Sequence, residues 1–456
     1  MKRFQEGGLI FVGALLLMSE GFRNGFPLLF SDSGSYIDAG FYRKVTEDRP
    51  AIYGQFIRLV SGGHSVWWVV FFQCFLLSAL LFFLFHYFCQ SSKKSGFLFI
   101  GTLMFLSLYT ALSYTASAVL PDIFTSIVVI ILALLLSAEL SLLLSIFLSL
   151  LFLLAVMVHY SHFLMILVVW GGFFLFSILK RLQKHPLKIP LKRWVITGGL
   201  VLIPWILLPT IHQQMGYGFA MSRVTHVFVV GKMVETNILK KFLDKFCPTS
   251  PYSLCDDKDN LPSSMAEFLF SSKSPLRKNG NWQDKKEEYD RLIGHVLKTP
   301  QYFFYYLGSL GQFMGISFSD FIVEPYPVFQ REDWSPHKVE EFFYPGDMND
   351  YLNSRQFQMW RGYNFPRWSE NHKIVGSLSV MSLLIYLFTS FKVRGVDKSL
   401  EVFVSLTLLG VFSNALVCGG LTAFNAHRFM ARIWWLVPLC VILILASPRK
   451  KGAATY

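Results

Sequence analysis

Charge is scarce in this chain: only 16% of its 456 residues are Asp, Glu, Lys or Arg, and 29 acidic residues face 42 basic ones. A soluble domain carries roughly a quarter charged residues. With 53% hydrophobic and 17% aromatic residues, the chain falls in the all-α polytopic membrane class. Cysteine is scarce as well, at six, which excludes a disulfide framework. No small-residue cleavage site follows the hydrophobic stretch after Met1-Lys2-Arg3, so that stretch reads as an anchor helix rather than a signal peptide. No internal repeat is visible, and no paired Cys and His residues have the spacing of a zinc site.

What the chain does have is hydrophobic runs, each near the roughly twenty residues that cross a ~30 Å hydrocarbon core as a helix. Ten spans are expected: Gly8–Phe22, Ser65–Phe88, Phe97–Leu120, Ile123–Ala138, Leu140–Val158, Phe163–Leu179, Trp194–Ile211, Ile374–Phe391, Val402–Leu421 and Phe429–Ala446. The net charge of +13 gathers in short links: Lys2-Arg3, Lys93-Lys94, Lys180 to Arg193, Lys392 to Lys398 and Arg449 to Lys451. Taking those links as cytoplasmic satisfies the positive-inside rule along all ten spans and puts both termini inside. The basic excess therefore reports orientation and implies no nucleic-acid partner.

Three regions follow: a membrane module over 1–211 with a first external loop at 23–64, a large external segment over 212–371, and carboxy-terminal helices with a basic tail over 372–456. In the first loop, Tyr36, Ile37, Phe41 and Tyr42 recur at helical intervals after Ser33-Gly34 and predict a helix on the membrane surface. Tyr302 to Ile316 is apolar and broken by Gly308 and Gly311; an extra single span would upset the charge pattern, so it reads as interfacial or re-entrant. Cys247 and Cys255 flank a short external loop and are expected to form a disulfide.

The chemistry-bearing residues cluster where spans meet water. Asp32 lies in Phe30-Ser-Asp-Ser-Gly-Ser-Tyr-Ile-Asp38, one short step beyond the first span, and Asp122 opens the fourth after Pro121. Either acid also suits a helix cap, but two on one side of the bilayer read as a site, with Asp38 secondary. His159 and His162 fall at the next external connection, where hydrogen-bonded structure is the commoner role. Cationic and aromatic candidates for binding substrate are Arg49 and Tyr53 at the end of the first loop, Arg367 before the eighth span, and His427, Arg428 and Arg432 at the start of the last. Arg428 and Arg432 are four apart and share a helix face; guanidinium forks match phosphate oxygens, whereas arginines near span ends also snorkel.

An acidic first loop, a second acid opening the fourth span, many spans and a large external insertion together resemble the GT-C superfamily of membrane glycosyltransferases. The resemblance covers Met1 to Ile211 in topology. It implies a polyprenyl-phosphate sugar donor, a glycan, lipid or protein acceptor, and a first-loop carboxylate, here Asp32, that orients or deprotonates the acceptor, with Asp122 assisting. It further implies a bacterial inner membrane with the site facing the periplasm. The loop reads Asp-Ser-Gly where several members carry Asp-x-Asp or Asp-Glu, which leaves a divalent cation open as a cofactor. Two other classes share these features: a transporter or flippase for a lipid-linked saccharide, which calls for charge deep in its spans, and an O-antigen-ligase-like transferase, which would move a whole oligosaccharide.

Overall fold

The computed structural model describes residues 2–89, 92–184, 187, 189–249, 252–278, 280–319, 321–390, 397–422 and 426–448, and among these its regular structure is all helical, with no strand. The chain begins with α1 (Lys2–Leu17), α2 (Ser19–Asn24) and the loop helices α3 (Ser31–Phe41) and α4 (Ile52–Ser61). There follow α5 (Val66–Cys89), α6 (Ser92–Tyr109), the short α7 (Leu112–Ala116), α8 (Asp122–Ser137), α9 (Leu142–Met157), α10 (Tyr160–Leu182), α11 (Leu191–Leu202) and α12 (Pro204–Gln214). The polar segment carries α13 (Thr225–Glu235), α14 (Ile238–Phe246), α15 (Met265–Phe270), α16 (Lys286–Lys298), α17 (Pro300–Ser319), α18 (Trp334–Phe342) and α19 (Pro345–Leu352). Last come α20 (Phe365–Ser390), α21 (Lys398–Asn414), a π-helical turn over Ala415–Thr422, α22 (Ala426–Trp434) and α23 (Leu436–Ala446).

Five helical stretches are long and apolar enough to cross a bilayer: Val66–Cys89, Tyr160–Leu182, Leu191–Gln214, Lys398–Leu421 and His427–Ala446. All five coincide with expected spans. Gln5–Leu17, Ser95–Tyr109, Asp122–Ser137 and Leu142–Met157 are apolar but shorter, and the expected Ile374–Phe391 lies in α20 except for Phe391, which is outside the described residues. The third stretch does not run to Leu120 as one helix. It stops at Tyr109, and the chain turns through α7 into a non-helical link. Buried irregular backbone needs partners, and Gln73 of α5 supplies them, its amide donating to Ala116 O at 2.8 Å and Ala118 O at 2.7 Å.

The segment from 212 to 371 divides between two cores. Residues from Val224 to Tyr302 pack around a core of their own, beside which Cys247 and Cys255 form a disulfide. Phe321 to Phe365 instead join the main core with the bundle and the first loop. The α3–α4 pair can approach closely because both helices present glycine: a Cβ on Gly40 would strike the Gly54 carbonyl. Gly34 admits α18 in the same way, since a Cβ there would lie 2.8 Å from Ser335 Cα.

Residues 302–316 belong to α17, whose carboxy-terminal half packs along the π-helical turn and ends with Phe318 near Phe412 and Trp434. The chain returns from there as an extended stretch, 321–330. Its backbone groups are taken by side chains: Ser369 bonds both N and O of Val323, Tyr114 OH donates to Glu324 O and accepts from Tyr326 N, and Trp360 Nε1 donates to Tyr326 O. A non-regular segment pinned by three elements keeps a fixed path beside the bundle.

Candidate functional site

Two helices begin side by side because the segments leading into them are clipped together. Leu28 N donates to Ser117 O at 2.9 Å and Val119 N to Leu28 O at 3.0 Å. Ser33 Oγ, in the first turn of α3, donates to Val119 O at 3.0 Å. Asp32 in α3 and Asp122 in α8, far apart in sequence, therefore open neighbouring helices.

Arg428, in the first turn of α22, lies between these acids. Its Nη2 is 3.5 Å from Asp32 Oδ2 and its Nε is 3.0 Å from Asp122 Oδ2. The second contact is a close ion pair without hydrogen-bond alignment, so Arg428 Nε and Asp122 Oδ2 both retain unused bonding capacity. Arg432, one turn deeper, donates from Nη1 to Asp122 Oδ1 at 2.8 Å and from Nη2 to Asn414 Oδ1 at 3.0 Å and Ser161 Oγ at 3.2 Å. At the other end Arg49 Nη2 donates to Asp32 Oδ1 at 2.8 Å and lies 3.1 Å from Asp48 Oδ2. Acid and guanidinium thus alternate along Asp48, Arg49, Asp32, Arg428, Asp122 and Arg432. Side-chain exposure peaks at Asp32, at 23%, and from there falls through 12% at Arg428 to 0% at Asp122 and Arg432.

Burial is costly for such charges unless each finds opposite charge and hydrogen bonds. Burial opposes the Arg49 charge, yet Asp32 and Asp48 outweigh it and hold the guanidinium above its ordinary value. Burial raises the Asp48 carboxyl in spite of Arg49. Aromatic faces add to the support: Arg428 sits 4.2 Å from the centre of the Phe30 ring, and Arg432 4.6 Å from that of Phe429. Beside Arg428 opens a cavity of about 40 Å³ walled by Phe30, Tyr114, Glu324 and Tyr326, room for a few waters at the 10–15 Å³ or so that each needs by this measure.

The other candidate residues fall at graded distances from this cluster. His159 accepts from Ser161 N at 3.2 Å and lies 2.7 Å from Ser161 Oγ, the hydroxyl that meets Arg432. His162 is wholly buried with both ring nitrogens occupied, by Thr125 Oγ1 at 2.8 Å and Ala155 O at 2.7 Å. Tyr53 is buried in the core, edge-on to Tyr36 and donating to Gln73 Oε1 at 3.1 Å; it touches the cluster only through Tyr36, over which Arg49 lies. His427 Nε2 is 3.9 Å from Glu324 Oε1 at the cavity edge. Arg367 is exposed in the first turn of α20, apart from the cluster. Asp38 is also apart: it sits at the far end of α3, paired with Lys44 and, at 3.1 Å, with Lys338 Nζ.

Asp48, Ser161, Asn414 and Glu324 escaped the sequence reading. Asn414 had a signal, being an amide inside an apolar run, where polar side chains find polar partners. Glu324 had none, since nothing local says that its segment folds back to Arg428. Among the described residues no group of three His, Cys, Asp or Glu side chains is set to hold a metal ion. Between Asp32 and Asp122 stands Arg428, paired with both. Comparison with protein-family models, curated proteins and solved structures gives no match for this chain.

Proposed function

We propose that this chain is a membrane glycosyltransferase of GT-C-like, ten-span architecture that moves a sugar from a polyprenyl-phosphate carrier to a hydroxyl acceptor at the external end of its bundle. In this reading both termini are cytoplasmic and the site faces the periplasm of a bacterial inner membrane. One observation carries it: the alternating row of acids and guanidiniums that runs from the loop before α4 past the starts of α3 and α8 into α22, with Arg428 turned to a cavity. Asp32, Asp122 and Arg428 lie in the first turns of their helices, which favours chemistry at one end of the bundle over carriage of a solute through it.

The chemistry follows from the pairing. A lipid phosphate competes with Asp32 for Arg428, whose contact with Asp32 is the longest in the row and whose Nε lacks an aligned acceptor. Moving Arg428 onto phosphate leaves Asp32 Oδ2 free to accept the acceptor's O–H, while Arg49 holds Oδ1. The acceptor oxygen attacks the anomeric carbon, its proton passes to Asp32, and the bond from that carbon to the phosphate oxygen breaks. The electron pair leaves with the phosphate, where the guanidinium offsets the growing charge. Arg432 is spent on Asp122, Ser161 and Asn414, so its part is to position Asp122, which in turn fixes Arg428.

The test is transfer in proteoliposomes supplied with a panel of radiolabelled polyprenyl-phosphate sugars. Asp32→Asn removes the proton acceptor while keeping shape, and transfer is expected to fall by about 10²–10⁴-fold with normal expression. Wild-type transfer by Asp32→Asn would sink the assignment.

A further inference from the structure

A groove on the flank of the bundle contains none of the residues of the charged row. Its volume is about 460 Å³, within the roughly 300–1,000 Å³ of small-molecule sites, and its walls are the end of α17, Phe321, Trp434 and one face of α20. On α20 the wall consists of Lys373, Ser377, Val380 and Met381, and exposed Leu384 and Ile385 continue it. Those spacings describe a single helical face. Its character changes along its length: a cation, a hydroxyl, then four apolar side chains. From Lys373 to Ile385 the helix advances about 18 Å at ~1.5 Å per residue, close to the ~15 Å of one leaflet's hydrocarbon. Lys373 has no carboxylate partner among the described residues, and Trp434 Nε1 is buried without an acceptor.

The groove is shut off from Arg428. Phe321 lies flat on Trp434 with ring centroids 4.1 Å apart, and His372 stands edge-on to Phe321 at 5.4 Å. The groove shares no lining residue with the cavity beside Arg428. An occupant of the groove therefore keeps its headgroup away from the reacting centre.

We propose that this groove binds a bilayer phospholipid with an anionic headgroup. The phosphate sits on Lys373 with the Ser377 and Ser319 hydroxyls in reach, and an acyl chain lies along Val380, Met381, Leu384 and Ile385. A fixed cation above an apolar stripe one leaflet long selects an anionic amphiphile over a zwitterionic one. The site is independent of the transfer reaction.

Native mass spectrometry of the purified full-length protein, released from micelles holding equimolar phosphatidylglycerol and phosphatidylcholine, tests this. The wild type is expected to retain phosphatidylglycerol at least about tenfold over phosphatidylcholine. Lys373→Glu should bring the two lipids level, and Ser377→Trp, which fills the groove, should remove the bound lipid. Lys180→Glu, near the end of α10, should leave selectivity unchanged. Equal retention by the wild type, or undiminished selectivity in Lys373→Glu, overturns the proposal. So does replacement of phosphatidylglycerol by equimolar undecaprenyl phosphate, which would make the groove part of the donor site.

Discussion

The two ends of α3 carry acids in opposite circumstances. Asp32, in its first turn, meets two arginines, each shared with a further acid, and one of them borders a cavity. Asp38, in its last turn, meets two lysines; one of them, Lys338, is shared with Glu341, which also accepts from Tyr42. Both are acids in ion-paired clusters on one short helix. The difference lies in what the partners can do. A guanidinium presents several fixed donors and serves two carboxylates and a ligand at once, whereas an ammonium is a point charge. The arginine end is thus equipped to exchange a protein partner for a bound anion, and the lysine end to fasten α3 to α18.

Removing the deepest acid should break the arginine end most severely. Asp122→Ala leaves Arg432 wholly buried with its main counter-charge gone, and stranding a buried charge costs about 3–5 kcal/mol. Thermal unfolding in detergent should fall steeply for Asp122→Ala and recover in part when Arg432→Met is added. An unchanged midpoint in the single variant would mean that the pair contributes nothing to holding α8 and α22 together.

A gentler change tests the fork itself. Arg428→Lys keeps the charge but cannot span Asp32, Asp122 and a phosphate together. Transfer is expected to drop on the order of tenfold to a hundredfold, less than for outright loss of a stabilising donor, with unfolding little altered. Full transfer with lysine at 428 would reduce the arginine end to a matter of charge alone, and the contrast with Asp38 would disappear.

Much of this contrast was legible in the sequence, and the reasons are local. A 3.6-residue period puts Arg428 and Arg432 on one face, and hydropathy located α5, α10, α21 and α23. Helix starts drew attention to Asp32 and Asp122. What stayed hidden depends on pairing across long separations. Hydropathy carried the third span past Tyr109, because it cannot register that Gln73 satisfies the carbonyls of a turn. The shared helix face offered both Arg428 and Arg432 to a phosphate, because nothing in the run from Val402 to Leu421 shows Asn414 waiting for one of them. The division of the segment from 212 to 371 between two cores was equally obscure, since the helices of both parts are amphipathic. Asp38 drew attention by proximity to Asp32, yet six residues along a helix turn a side chain well away from the first.

That separation makes Asp38 the sharpest control, and the smallest effect on transfer. Asp38→Asn keeps the volume and removes one charge from a cluster in which buried Lys338 keeps Glu341 and exposed Lys44 can turn to water, so the cost should be about 1.5–3 kcal/mol, that of a hydrogen bond to a charged group, with transfer untouched. The pH dependence of that cost follows from its neighbours. Burial pulls Lys338 down, but Glu341 and Asp38 outweigh it and leave it above its ordinary 10.5; a raised lysine contributes fully below 10.5 and loses its contribution as pH climbs through the raised value. Lys338 and Tyr42 hold Glu341 below its ordinary 4.5, so its share persists above 4.5 and fades as pH falls through the lowered value. Between those limits the difference in unfolding free energy between wild type and Asp38→Asn should be flat. A sloping difference near neutral pH, or any loss of transfer in Asp38→Asn, would show that the two ends of α3 are electrostatically one site.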